Sequence, residues 1–119
     1  IGEITDYNPG ASDFNLGPVS FLLAYSDHVV AYVFTPVTHH TSQCDVYWMV
    51  DKDAKEGADY DLERLIWLWD VTTKADERII VNNQKGVNSR KYSSGPFSEK
   101  ESTEKRFISW YLDQLRETL

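Results

Sequence analysis

The run from about Tyr60 to Lys85 reads as one long helix, and a helix of that length dictates what the rest of the chain must provide. Leu62, Leu65, Trp69 and Ile80 fall on one stripe of its surface. An apolar stripe needs another element to bury it. Asp59 or Asp61 is placed to cap the start. Gly86 follows as a natural stop. Thr72-Thr73 is the weak point, because β-branched residues lower helix propensity.

The burying partner lies upstream. Three strand candidates occur, at about Val19–Tyr25, His28–Phe34 and Ser42–Val50. Ser26-Asp27 is a turn signal, and Pro36, with no N–H for a ladder, ends the second strand. In the third, Cys44, Val46, Trp48 and Val50 alternate with Asp45, Tyr47 and Met49, so each set shares a face. Short connections of this kind favour an antiparallel meander. Residues 1–17 read as loop, punctuated by Asn8-Pro9-Gly10 and Leu16-Gly17-Pro18. Residues 51–61 form a polar loop rich in acids, whose plain reading is a solvated segment. After a loop over Val87–Phe97, Ser98 and Glu101 make a capping box for a last helix. Its stripe of Phe107, Trp110, Tyr111 and Leu115 is expected in the core. The expected fold is α+β: an antiparallel sheet on a long helix, plus a C-terminal helix, in one domain over 1–119.

Composition narrows the function. In a chain of 119 residues, 41 % hydrophobic content is enough for a packed core, so disorder is not the default. The net charge of −7 argues against nucleic acid, whose binders carry basic patches. No run approaches the ~18 apolar residues of a membrane span, and no leader-like segment is visible. Cys44 is the single cysteine. It cannot form an internal disulfide, hold an iron–sulfur cluster alone or build a structural zinc site. These features fit a cytoplasmic chain without nucleic-acid or membrane partners.

Asp76 is the residue most suggestive of chemistry. On a 100° wheel it falls within about 40° of Leu62, Leu65, Trp69 and Ile80, an acid amid the apolar stripe. Glu63, Asp70 and Glu77 point elsewhere. A buried carboxylate is costly unless it is paired, hydrogen-bonded or metal-bound. Asp76 is therefore a metal ligand, a catalytic acid, or an inward acid satisfied by an arginine or a backbone group. His39 and His40 are adjacent, so on a strand they would face opposite sides, and they are poorly arranged to chelate one ion. Ser26-Asp27-His28 has the residue types of a triad but not the spacing. Cys44 reads as a small buried apolar residue. Trp48, Trp67, Trp69 and Trp110, with seven tyrosines, suit either core packing or a cation–π cage. Asn82-Asn83-Gln84 can cap the helix end or orient a ligand. No nucleophile elbow, phosphate loop, dinucleotide fingerprint or H-E-x-x-H occurs.

The stretch Tyr47–Leu115, and most specifically LWDVTTKADERIIVNNQKGVNSRKYSSGPFS, resembles the C-terminal part of the catalytic domain of Rieske-type non-haem iron oxygenase α subunits. GPVSFLLAYSDHVVAYVFTPV resembles that domain's central strands. The resemblance lies nearest the branch acting on glycine betaine, choline and carnitine. It implies a helix-grip (START/Bet v 1-like) fold, present here as a partial domain. In the family's pattern Asp–x₇–Gln–x–Gly, which falls on Asp76, Gln84 and Gly86, the aspartate is the carboxylate of a 2-His-1-carboxylate Fe(II) site. Trp69, Thr73, Asn83 and Gln84 then surround the ligand or line the pocket. The resemblance further implies a 2Fe-2S cluster on an N-terminal domain, O₂ and a small substrate, an NAD(P)H-dependent reductase and a homotrimer. The implied reaction is hydroxylation or oxidative N-demethylation. Neither the family's two iron-binding histidines nor its cluster ligands occur here, so the chain alone is expected to be inactive. The alternative is a metal-free helix-grip module that binds a small ligand.

Overall fold

The computed structural model describes residues 10–118. The elements are β1 (Ala11–Leu16), β2 (Ser20–Tyr25), β3 (Val29–Pro36), β4 (Ser42–Met49), α1 (Leu62–Val87) and α2 (Ser102–Glu117). The strands make one antiparallel sheet in chain order, the meander that their short connections favour. The chain is thus α+β. It divides into two compact units, one ending at Asp76 and one beginning at Glu77. The first holds the sheet and the leading part of α1; the second holds the rest of α1 and α2.

Register fixes which side chains share a face. Tyr32 pairs with Phe21 and Val46, Val30 with Leu23 and Trp48, and Phe34 with Cys44. Because side chains alternate, these residues all project to one side. Tyr25 and Tyr32 on that side meet Trp69 of α1, with ring centroids 5.7 and 6.3 Å apart, so it is the helix-facing side. Central strand β3 supplies the core. Val30, Ala31 and Tyr32 are the buried hydrophobic residues among those described, and Val30 is fully enclosed.

Two expectations about strands meet different outcomes. The alternating face Cys44–Val46–Trp48 is the helix-facing one of β4. Residues 11–16, expected as loop, form β1 instead. Asp13 and Asn15 are residue types that strands disfavour, which hides the strand in the sequence. It is an exposed edge, held by its pairing with β2. Leu16-Gly17-Pro18 makes the expected turn, with Gly17 at φ 63°, where glycine avoids the left-handed penalty. Asn8-Pro9 lies outside the described residues.

Helix α1 runs unbroken through Thr72-Thr73. The Thr72 hydroxyl donates to the Leu68 carbonyl at 2.9 Å, which leaves the helix intact. Asp61 is the cap: its Oδ1 accepts the Arg64 N–H at 2.8 Å. Gly86 does not stop the helix, which continues to Val87. Its φ is not positive, so the left-handed geometry that ends helices at glycine is missing here. The capping box is half made. Glu101 Oε2 accepts the Ser98 N–H at 2.6 Å, yet α2 starts only at Ser102, with Glu101 itself at the cap position. The stripe Phe107, Trp110, Tyr111 and Leu115 is exposed rather than core. Its rings lie against one another instead, Phe107 against Trp110 and Tyr111 at 5.9 and 6.3 Å. Among the described residues no helix is long and apolar enough to cross a membrane.

Candidate metal centre

The site is built where α1 lies over the sheet. Helix periodicity brings Leu65, Trp69 and Thr73 to successive turns of one face. All three are half-buried. The Tyr32 hydroxyl lies 2.8 Å from Thr73 Oγ1. A buried tyrosine needs a partner for its O–H, and here that partner belongs to the helix. Phe21 stacks on the Tyr32 ring at 4.8 Å, and Trp69 meets it edge-on. Burial pushes the Tyr32 phenol above its ordinary value, the Thr73 hydrogen bond opposes this, and the charges of Cys44 and Asp76 add to the rise.

Asp76 itself departs from the expectation of burial: it is exposed. Its wheel neighbours Leu62 and Ile80 are exposed as well, at 41 % and 62 %. The ring contacts and the hydrogen bond that α1 makes with the strands are at Trp69 and Thr73, and Asp76 lies beyond them along the helix. The Asp76 carboxylate makes no hydrogen bond or ion pair among the described residues, although Lys74 nearby pairs with Asp70 at 2.6 Å.

The other expected positions separate. Trp69 and Thr73 face the sheet. Asn83 and Gln84 belong to the second unit and are exposed, with Gln84 Nε2 donating to Asn88 Oδ1 at 3.1 Å. Cys44 was expected to be buried but is exposed, because it lies toward the end of the β3–β4 ladder. His39 and His40 sit exposed in the β3–β4 connection. Among the described residues, no three His, Cys, Asp or Glu side chains converge to hold a metal ion. A facial triad needs two more donors than Asp76 supplies. Asp76 fits one position of such a site: a hard oxygen ligand, accessible and not engaged elsewhere.

Tyr32 was missed in the sequence. The alternation Val30–Tyr32–Phe34 was the available signal, since it places an aromatic hydroxyl in the middle of the core strand. A second feature lies toward the start of α1. His28 Nδ1 lies 2.7 Å from Asp27 Oδ1, and the His28 ring stacks on Tyr25 at 5.0 Å. Asp27 and His28, with Tyr60, Asp61, Arg64, Leu65, Leu68 and Trp69, line an open cleft of about 320 Å³. Asp61 and Asp76 are fifteen residues apart, about 22 Å along a helix, so the cleft is a place separate from Asp76.

Over 120 aligned positions, covering all of this chain, it is 35 % identical to the "glycine betaine monooxygenase oxygenase subunit" of two strains of Pseudomonas aeruginosa. Over 90 positions, 75 % of the chain, it is 37 % identical to the protein of the same name from Chromohalobacter salexigens. The chain spans 28 % of the length of the Pseudomonas relatives and 20 % of that of the Chromohalobacter one. Residues 2–117 match the family described as ring-hydroxylating α subunit (catalytic domain), and the chain belongs to that family.

Proposed function

We propose that this chain is the Asp76-bearing part of the catalytic domain of a longer Rieske-type non-haem iron oxygenase. The observation that carries the reading is the free, accessible Asp76 carboxylate, at the aspartate of Asp–x₇–Gln–x–Gly within a family match over 2–117. In the whole protein Asp76 would hold one side of an Fe(II) whose two histidine ligands come from outside this chain. When bound, the metal supplies O₂ activation. The chain's own residues do the rest of the positioning. Trp69 and Thr73 hold α1 against the sheet, and the aromatic face of Phe21, Tyr25, Tyr32 and Phe34 keeps water from that side. The same reading takes the domain as a helix-grip fold, supported by the contacts of Tyr25 and Tyr32 with Trp69 and Thr73 of α1.

The substrate we assign is a small methylated amine of the quaternary ammonium class, hydroxylated or N-demethylated. The name of the relatives supports this class, and an aromatic face suits such a cation. The word "subunit" in that name supports a separate reductase, drawing on NAD(P)H and feeding a 2Fe-2S cluster on an N-terminal domain. A homotrimer and a cytoplasmic location belong to the same reading. With one ligand of three, this chain alone is inactive.

Iron content and amine-dependent O₂ uptake of the full-length protein, with Asp76→Ala beside the parent, test the reading. Loss of both iron and uptake in the variant supports it. Retention of iron and uptake overturns it. A parent that holds no iron, yet melts higher with methylated amines, would establish the metal-free binding module instead.

A further inference from the structure

The Tyr32–Thr73 contact is the one side-chain hydrogen bond between the strands and α1 among the described residues. The other contacts across this interface that involve Trp69 are ring packings at 5.7 and 6.3 Å, which tolerate sliding and rotation. A hydrogen bond does not, since it weakens steeply with distance and angle. Thr73 has no competing use for its hydroxyl. Its neighbour Thr72 bonds back to the Leu68 and Trp69 carbonyls, whereas Thr73 Oγ1 is paired with Tyr32 alone. The Tyr32 end is fixed in turn, because Tyr32 is 7 % exposed, stacked on Phe21 and carried by an inner strand. Asp76 stands three residues beyond Thr73, on the same side of the helix and one turn further along.

We infer that Tyr32 and Thr73 are positioning residues: their hydrogen bond sets the register of α1 on the sheet and so the place of the Asp76 carboxylate. The inference rests on Asp76 being the metal ligand. It assigns to Tyr32 no contact with metal or substrate. Its effect passes through the helix.

The test uses the full-length protein and Fe(II) itself, titrated against a competing chelator. The spectroscopic readout is the electron paramagnetic resonance of the ferrous nitrosyl complex. Tyr32→Phe and Thr73→Val each remove one partner and keep the shape. Each is expected to weaken Fe(II) binding by about tenfold, as loss of a ligand-orienting partner does. Each also broadens the nitrosyl signal. The double variant is expected to lose no more than either single one, and Thr73→Ser, which keeps the hydroxyl, to bind as the parent does. Parent-like Fe(II) binding and signal in both single variants overturn the inference. So do additive losses, or a Thr73→Ser variant as weak as Thr73→Val. Asp76→Ala in the same titration separates the two readings. If it binds Fe(II) as the parent does, the ligand assignment falls and the positioning role with it. If it loses the metal while Tyr32→Phe keeps it, only the positioning role falls.

Discussion

Two ionisable side chains of the first unit link single residues to stability. Burial works to raise the Asp27 carboxyl and the His28 hydrogen bond works to lower it; the balance lies below the ordinary value of 3.8. A carboxyl depressed on folding contributes stability that is present above 3.8 and is lost as pH falls through the folded value. Asp27→Asn is therefore expected to flatten the acid limb of a urea-unfolding series below about pH 5, the region where such carboxylates titrate. Tyr32 behaves oppositely. Burial holds its phenol above 10.0, so its contribution is intact below that pH and declines as pH climbs toward the folded value. Chemical unfolding between pH 9 and 11, the range around a tyrosine's ordinary value of about 10, should show a steeper alkaline fall in the parent than in Tyr32→Phe. A slope shared by both would place the effect elsewhere.

At the scale of elements, glycine conformation separates positions that look alike in the sequence. Gly86 lies inside α1 without positive φ, and a Cβ there meets nothing within 4 Å. Gly86→Ala should stabilise the protein by about 0.4–1 kcal/mol, by restricting the unfolded chain, and raise its melting temperature. Gly57 also has open space, but its φ is 81°. Gly57→Ala should lower the melting temperature, at a cost of about 1–2 kcal/mol for the left-handed backbone. The start of α1 offers a third comparison. Asp61→Ala frees the Arg64 N–H and should cost about 1 kcal/mol, which Asp61→Ser largely recovers. Thermal melts of the four variants check these signs together.

For the molecule as a whole, the most telling property is how much apolar surface each unit leaves uncovered. In the second unit Ile79, Ile80, Val81, Phe97, Trp110 and Leu112 are all exposed, and neither helix has a buried residue. In the first, β1 and β4 are open sheet edges among the described residues. Monomeric proteins rarely leave large contiguous apolar patches open, and unpaired edges invite pairing. Expressed by itself, the 119-residue chain is expected to associate and to bind a hydrophobic dye. Sedimentation velocity and dye fluorescence would show this, and a monodisperse monomer that leaves the dye dark would contradict it.

The sequence by itself determined the elements whose causes are local. Turn signals bounded β2, alternation marked β4, an acid at position 59 or 61 marked the start of α1, and Leu16-Gly17-Pro18 marked a turn. The family was legible too, because the motif around Asp76 is a string of residue identities that needs no coordinates. What the wheel could not supply was burial. It assumed that the whole stripe of α1 meets a partner, but the contacts with the strands are made at Trp69 and Thr73, and Asp76 is exposed. Strand β1 was likewise invisible, because Asp13 and Asn15 become strand only through pairing with β2. The Tyr32–Thr73 bond joins residues forty-one positions apart, and only the packing of α1 on the sheet decides that those two hydroxyls meet.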